Sequence, residues 1–244
     1  MNFLNCRPKK NLIQRLEREA TGLRGEMVSL SNSSDPYPNL EAEKALTREC
    51  LEILSRNNCR IQIVTKSSLV VRDIDLLKKV SSVVSLTITT DDDHLGTIIE
   101  PYAPLPSERL KAAEKLVECS LPVTVRIDPI IPFVNDGPER LIEEVASLGV
   151  KHITSSTYKV RPDNWQRLCA ALPSVAEKLR PLYFEKGQRI SDYFYLPYDL
   201  RLRLMERVRS FADRYHISFG VCREGLDQLN TGVCDGSWMF RNRI

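Results

Sequence analysis

Hydrophobic positions along the chain follow two different periods. Short apolar and β-branched runs at 26–31 (EMVSLS), 61–66 (IQIVTK), 83–89 (VVSLTIT), 122–128 (PVTVRID), 150–155 (VKHITS) and 216–221 predict strands. Between them, apolar residues recur three and four apart, as one buried helical stripe requires. This spacing predicts helices over 9–23, 40–57, 74–79, 107–119, 137–148, 163–180 and 198–214, with Leu40, Leu46, Cys50, Ile53 and Leu54 sharing a face of the second. Ser107 is the expected N-cap of the 107–119 helix, and Gly149 closes the 137–148 helix. Two stretches predict loops. Residues 32–39 contain Asp35, Pro36 and Pro38, and residues 91–106 hold three aspartates and three prolines.

Strand and helix alternate at least four times, and the strands look β-branched with little polar alternation. That pattern is expected of a parallel sheet covered by helices, so the chain reads as α/β, either a parallel barrel or an open wound sheet. With 244 residues and 42% hydrophobic content it can bury one sizeable core. Residues 1–160 are read as the barrel core, and 161–244 as helices, a last strand and a Cys/Gly tail completing the same domain. In such folds ligands bind at the carboxyl ends of the strands. Those ends carry Ser33, Ser34 and Asp35; Thr65, Lys66 and Ser67; Thr87, Thr89 and Thr90; Asp128; and Thr154, Ser155 and Ser156. Any one hydroxyl is an ordinary loop cap. Five polar ends together predict a common mouth.

Charge adds little: 35 basic against 32 acidic residues leave +3, too small to argue by itself for nucleic acid or an anionic membrane. No apolar run approaches the ~18 residues of a membrane span. The amino-terminal segment breaks into charge after five residues, so a soluble, cytoplasmic protein with no membrane partner is expected. Seven scattered cysteines, Cys6, Cys50, Cys59, Cys119, Cys169, Cys222 and Cys234, show no Cys-x-x-Cys spacing and predict buried thiols rather than a disulfide framework. His94, His152 and His216 fall in separate elements and suggest neither triad nor metal site.

Four groups of residues in order carry a family resemblance. They are Ser34-Asp35-Pro36-Tyr37 with Glu41 and Leu46-Thr47-Arg48; Thr65-Lys66-Ser67 with Val71-Arg72-Asp73; Glu100-Pro101 with Pro104 and Arg109-Leu110; and Asp128-Pro129-Ile130-Ile131-Pro132 with Asn135-Asp136. From about residue 6 to 160 they resemble the successive motifs of the spore photoproduct lyase-like (DNA repair photolyase-like) branch of radical S-adenosylmethionine proteins. The resemblance implies a partial (β/α)6 barrel, S-adenosylmethionine and a 4Fe-4S cluster as cofactors, and a nucleic-acid substrate. It places Lys66 against the cofactor carboxylate, Ser34 and Asp35 at its ammonium end, Thr87 near the nucleoside or carboxylate, and Asp128 beside the adenosine. Each also has a plain reading: a snorkelling lysine, a turn-opening aspartate, ordinary strand and turn residues. Arg72-Asp73 reads as structural, with Asp73 as a helix N-cap, and Glu100 with Arg109 as an internal ion pair.

The chain departs from the family in two places. The cluster's Cys-x-x-x-Cys-x-x-Cys triplet is absent, and Cys6 cannot replace it, since three thiolates must converge on three irons. The resemblance puts the first strand and the cluster loop upstream of Met1, so this chain is expected to bind the cofactor without cleaving it. Where the family's lyase has a hydrogen-donating cysteine, three residues before the aspartate, this chain has Asn32. The tail cysteines Cys222 and Cys234 are the candidate catalytic residues, as hydrogen donor, auxiliary metal ligand or substrate-facing pair, with Arg223 placed to lower a thiol pKa; inert buried thiols are the alternative. Tyr183, Phe184, Tyr193, Phe194, Tyr195 and Tyr198, with Arg180 and Arg189, could stack bases or seal the barrel's open side. A noncatalytic module binding a nucleotide or single strand is the alternative function, and a lyase using Lys66 as a Schiff base a remoter one.

Overall fold

The computed structural model describes residues 6–30 and 34–240. Six parallel strands, β1 (Met27–Leu30), β2 (Arg60–Thr65), β3 (Ser82–Thr87), β4 (Val123–Ile130), β5 (His152–Thr157) and β8 (Ser218–Val221), form one sheet in the order β1-β2-β3-β4-β5-β8. A separate antiparallel hairpin joins β6 (Gln188–Ile190) to β7 (Tyr193–Tyr195), within the aromatic stretch that the sequence suggested was a loop. The crossover elements are helical, as parallel neighbours require. The fold is α/β, a partial barrel of six parallel strands.

The two faces of the sheet differ. On one, Ile61, Ile63, Val84, Leu86, Val123, Val125, Ile127, Ile153 and Phe219 are buried under helices α6 (Pro106–Glu118) and α10 (Tyr198–Arg214) among others. On the other, the register aligns Ser85 with Thr124 and His152, and Thr87 with Arg126 and Thr154. Polar residues therefore concentrate on the inner face, most clearly in β4, where Val123, Val125 and Ile127 alternate with Thr124, Arg126 and Asp128, and the expectation of little polar alternation fails there. Helices cover only one face. The inner face is lined by polar side chains that need partners.

The segment after β8 supplies some of them. Thr154 Oγ1 donates to the Cys234 carbonyl (2.6 Å), Gln62 donates to the Asp235 carbonyl, and Trp238 meets His152 edge-on at 6.2 Å between centroids. A Cβ at Gly236 would lie 2.6 Å from Thr124 Cγ2, and its φ of +71° also favours glycine there. This strap fills the inner face below the strand ends and leaves the carboxyl-end mouth above it.

Four local expectations change. The 40–57 stretch is two helices, α2 (Glu41–Lys44) and α3 (Leu46–Arg56), broken at Ala45 with φ 50°. The buried Glu41 carboxylate folds back to accept from Thr47 N (2.9 Å), capping α3 through a contact the helical period cannot reveal. Within 91–106 a helix α5 (Asp93–Ile99) forms because Asp92 caps it through Leu95 N (3.1 Å) and the prolines all follow its end. The 163–180 stretch splits at Pro173 into α8 (Pro162–Ala171) and α9 (Pro173–Phe184). Ser107 lies inside α6, with Leu105 at the N-cap, and its hydroxyl donates instead to Asp93 Oδ2 (2.7 Å). The remaining helices are α1 (Leu12–Ala20), α4 (Ile74–Leu77) and α7 (Glu139–Ser147). Gly149 follows α7 with φ +88°, as a helix terminator should.

Candidate cofactor-binding mouth

Asp35 lies on the loop after β1 and ties it to β2. Its Oδ1 accepts from Tyr37 N (2.9 Å) and Thr65 Oγ1 (2.6 Å), and its Oδ2 from Lys66 N (2.7 Å). Ser34 beside it is exposed at the rim, while Ser33 and Asn32 lie outside the described residues. Lys66 extends from the end of β2 to Glu100, with Nζ 2.8 Å from Oε1. The other Glu100 oxygen meets Arg109 Nη1 at 2.5 Å, and that same nitrogen donates to the Thr87 carbonyl (3.0 Å). Burial opposes the charge on Glu100, but Lys66 and Arg109 outweigh it and hold its pKa below the ordinary value. The expected Glu100–Arg109 pair is present, and it reaches Lys66 as well. Asp35 meets Lys66 at its backbone N–H, and Thr87 joins the ion pair through its carbonyl, so the three are linked through main-chain atoms at adjacent strand ends. Lys66 is 40% exposed and paired with a carboxylate, unlike the desolvated lysine that Schiff-base chemistry needs.

The second half of the mouth is built on β4, β5 and β8. Asp128 Oδ2 pairs with Arg126 Nη2 (2.6 Å), and its Oδ1 accepts from Ser156 Oγ (2.5 Å). The loop after β4 is fixed by Asn135, whose side chain accepts from Ile131 N (2.7 Å) and donates to the Thr89 carbonyl (2.8 Å). Thr89 continues the inner face above Thr87. Its hydroxyl is buried with no hydrogen-bond partner among the described residues, as is that of Thr124.

Cys222 and Cys234 meet here. The Cys222 pKa is lowered, chiefly by a hydrogen bond from the Cys234 thiol; burial opposes this, and the Arg126 charge adds to it. The Cys234 thiol keeps its proton, its pKa raised first by that same bond and then by burial. Arg126, not the expected Arg223, is the cation beside the thiols; Arg223 points to solvent with φ 57°. The sequence reading passed over Arg126, although Thr124, Arg126 and Asp128 share one face by strand alternation alone.

Other motif residues are structural. Asp73 is buried and accepts from Tyr37 Oη (3.1 Å), Arg48 Nη1 (2.9 Å) and Arg72 Nε (2.9 Å). It holds the N-cap position of α4, as expected, but its side chain makes no cap bond, because the carboxylate is turned inward to the arginines. Beside this network lies an open groove of about 600 Å³ lined by Tyr37, Asn39, Ser67, Leu69 and Arg72. The aromatic stretch packs on itself: Trp165 and Phe194 each meet Phe184 edge-on at 5.0 Å, and Arg189 lies 5.7 Å over Phe194. Tyr183 is buried, with its hydroxyl on the Tyr158 carbonyl at 2.5 Å. Phe184 and Tyr198 remain exposed.

No protein-family profile matches the chain. It is 32% identical over 177 residues to an uncharacterized protein of Acidianus two-tailed virus, covering 69% of this chain and 58% of that protein. An uncharacterized Methanocaldococcus jannaschii protein is 38% identical over 110 residues, 45% of this chain and 42% of the relative. A Mycobacterium tuberculosis protein, also uncharacterized, is 26% identical over 219 residues, 84% of this chain and 62% of that one. The chain therefore spans between 42% and 62% of these relatives' lengths. Among solved structures, spore photoproduct lyase complexed with dinucleoside spore photoproduct superposes with a TM-score of 0.61 at 15% identity, over 86% of this chain and 65% of the lyase. SuiB of Streptococcus suis bound to S-adenosylmethionine gives 0.55 at 15% identity, over 89% and 44%. Both are radical S-adenosylmethionine enzymes, and at such identity the likeness establishes the fold. No helix among the described residues is long and apolar enough to cross a membrane.

Proposed function

We propose that the mouth binds S-adenosylmethionine, and that this barrel is the core of a radical S-adenosylmethionine-type enzyme acting on nucleic acid. The observation that carries the reading is the placement of opposite charges at neighbouring strand ends, Lys66 with Glu100 and Arg126 with Asp128, on either side of the unpartnered Thr89 hydroxyl. An amino-acid zwitterion can exchange into such pairs, giving its carboxylate to Lys66 and its ammonium to Asp35 and Ser34 at the rim. Asp128, steadied by Ser156 and Arg126, faces the nucleoside, and Thr87 supports it from β3.

When bound to a reduced 4Fe-4S cluster, S-adenosylmethionine supplies a 5′-deoxyadenosyl radical. Among the described residues no three Cys, His, Asp or Glu side chains converge on a metal position, so the residues described here do not fit the cluster. The chain on its own is accordingly proposed to bind the cofactor without cleaving it. The nucleic-acid substrate is supported by the fold shared with a lyase seen with a dinucleoside ligand.

Equilibrium dialysis against labelled S-adenosylmethionine tests the reading. Saturable binding is expected, weakened roughly tenfold, or about 1.4 kcal/mol, by Asp128→Asn and again by Lys66→Ala. Absence of saturable binding, or variants that bind as well as the wild type, would overturn it. Anaerobic incubation with iron and sulfide tests the second part: a stable stoichiometric cluster that cleaves the cofactor contradicts binding without cleavage.

A further inference from the structure

Cys222 and Cys234 are distant in sequence and adjacent in space. Cys222 ends β8, its N–H donating to the Ser155 carbonyl of β5 (2.9 Å). The strap returns so that Cys234 lies over Gly220, two residues earlier on the same face, where a Cβ would sit only 2.6 Å from Cys234 Cα. Thr154 Oγ1, on the adjoining strand, holds the Cys234 carbonyl at 2.6 Å. Strand and strap are thus locked in register with the two thiols in hydrogen-bond contact and the Arg126 guanidinium against Cys222. Cys50 and Cys59, by contrast, are buried thiols whose pKa is raised first of all by burial.

We propose that Cys222 and Cys234 are a reversible dithiol–disulfide couple that latches the carboxyl-terminal strap across the inner face beneath the mouth. The oxidant is a low-molecular-weight disulfide. Cys222, as thiolate, attacks one sulfur of that disulfide; its S–S bond breaks, one small thiolate leaves and takes a proton, and a mixed disulfide remains on Cys222. Cys234 then loses its proton and attacks Cys222 Sγ, expelling the second small thiol. Two electrons and two protons pass from the protein to the small disulfide, and a dithiol reductant reverses the exchange. The roles are asymmetric because Arg126 and the Cys234 thiol both stabilise negative charge on Cys222, whereas Cys234 keeps its proton until attack. Once the latch closes, Arg126 loses its thiolate partner and keeps Asp128, so the oxidation state reaches the mouth directly.

The test uses the full chain, treated with excess oxidised glutathione at neutral pH, then denatured, alkylated and peptide-mapped. The expected result is one Cys222–Cys234 linkage, with Cys50 and Cys59 still fully alkylated and proteolysis within residues 230–240 slowed. Cys234→Ser should stop at glutathione retained on Cys222, and Cys222→Ser should take up glutathione at Cys234 roughly tenfold more slowly than wild type does at Cys222. The proposal is overturned if both thiols alkylate after oxidation, if wild type halts at the mixed disulfide, or if Cys222 links to another cysteine. Should either variant fail to fold, the wild-type peptide map decides alone. This outcome does not depend on whether S-adenosylmethionine binds.

Discussion

The charged residues that fasten the loop after β1 and those that line the mouth at the ends of β2 and β4 are of the same types, yet they are wired differently. In the first group Asp73 and Glu41 are buried, and Arg48, Arg72, Tyr37 and the Thr47 N–H occupy their oxygens. Burial, then Asp73, raises the Tyr37 pKa far above its usual value, so the phenol stays a donor. In the second group Asp128 and Arg126 keep 21% and 16% of their side-chain surface in the mouth, and Lys66 keeps 40%. The first network closes its carboxylates off from solvent and fastens the loop after β1 to the segment after β2. The second has capacity left for a ligand. Motif residues of one resemblance therefore divide between scaffold and mouth, and saturation, not residue type, decides which is which.

The sharpest way to break this contrast is Asp73→Ala, which removes the buried acceptor shared by Tyr37, Arg48 and Arg72 and leaves Arg48 with Asp75 and Arg72 with Glu41. It should cost about 3 kcal/mol in urea unfolding, because the Tyr37 hydroxyl is left buried and unsatisfied and charge-assisted hydrogen bonds are lost. A loss near that of the mouth variants would erase the distinction. Next comes acid. His152 is fully buried, its Nδ1 2.8 Å from Ser218 Oγ, and burial pushes its pKa from 6.5 to about 4. The unfolded chain therefore takes up a proton at higher pH than the folded one. This stability is present above pH 6.5 and is lost as pH falls through about 4. It amounts to about 3 kcal/mol, and unfolding midpoints measured against pH should flatten in His152→Gln.

Smaller effects are expected in the mouth. Asp128→Asn keeps an acceptor for Ser156 and should cost only about 1 kcal/mol of stability, measured by the same urea series, while weakening cofactor binding. Lys66→Ala removes a partly exposed ion pair and should shift stability by less than about 1 kcal/mol. Smallest, and opposite in sign, is Thr89→Val. Replacing an unpartnered buried hydroxyl with an isosteric methyl should stabilise the free protein by up to about 1 kcal/mol while weakening binding. If thermal melts show Thr89→Val destabilising, the hydroxyl is satisfied within the free protein.

Much of this architecture was legible in the chain. All six parallel strands fall where short β-branched runs predicted them, since those runs are too brief for helices and are bounded by turn residues. What escaped depends on contacts distant in sequence. The break at Ala45 exists because Glu41 reaches Thr47, and the α5 helix because Asp92 turns back to cap it. The inner face was legible but missed: Val125 and Ile127 hid the alternation of Thr124, Arg126 and Asp128. The mouth's halves could be listed residue by residue, yet the reach of Lys66 to Glu100 and of Arg126 to Cys222 follows only from how the chain folds. The approach of Cys234 to Cys222 was invisible, because it depends on the strap folding back over β8 and β5.

Amide hydrogen exchange with and without S-adenosylmethionine tests the central claim most directly, since it reads both regions at once. Binding in the mouth predicts new protection at residues 65–67, 87–90, 126–130 and 155–157, and little change across 40–48 and 72–77. Protection confined to the groove beside Tyr37 and Arg72, or none anywhere at saturating cofactor, contradicts the account.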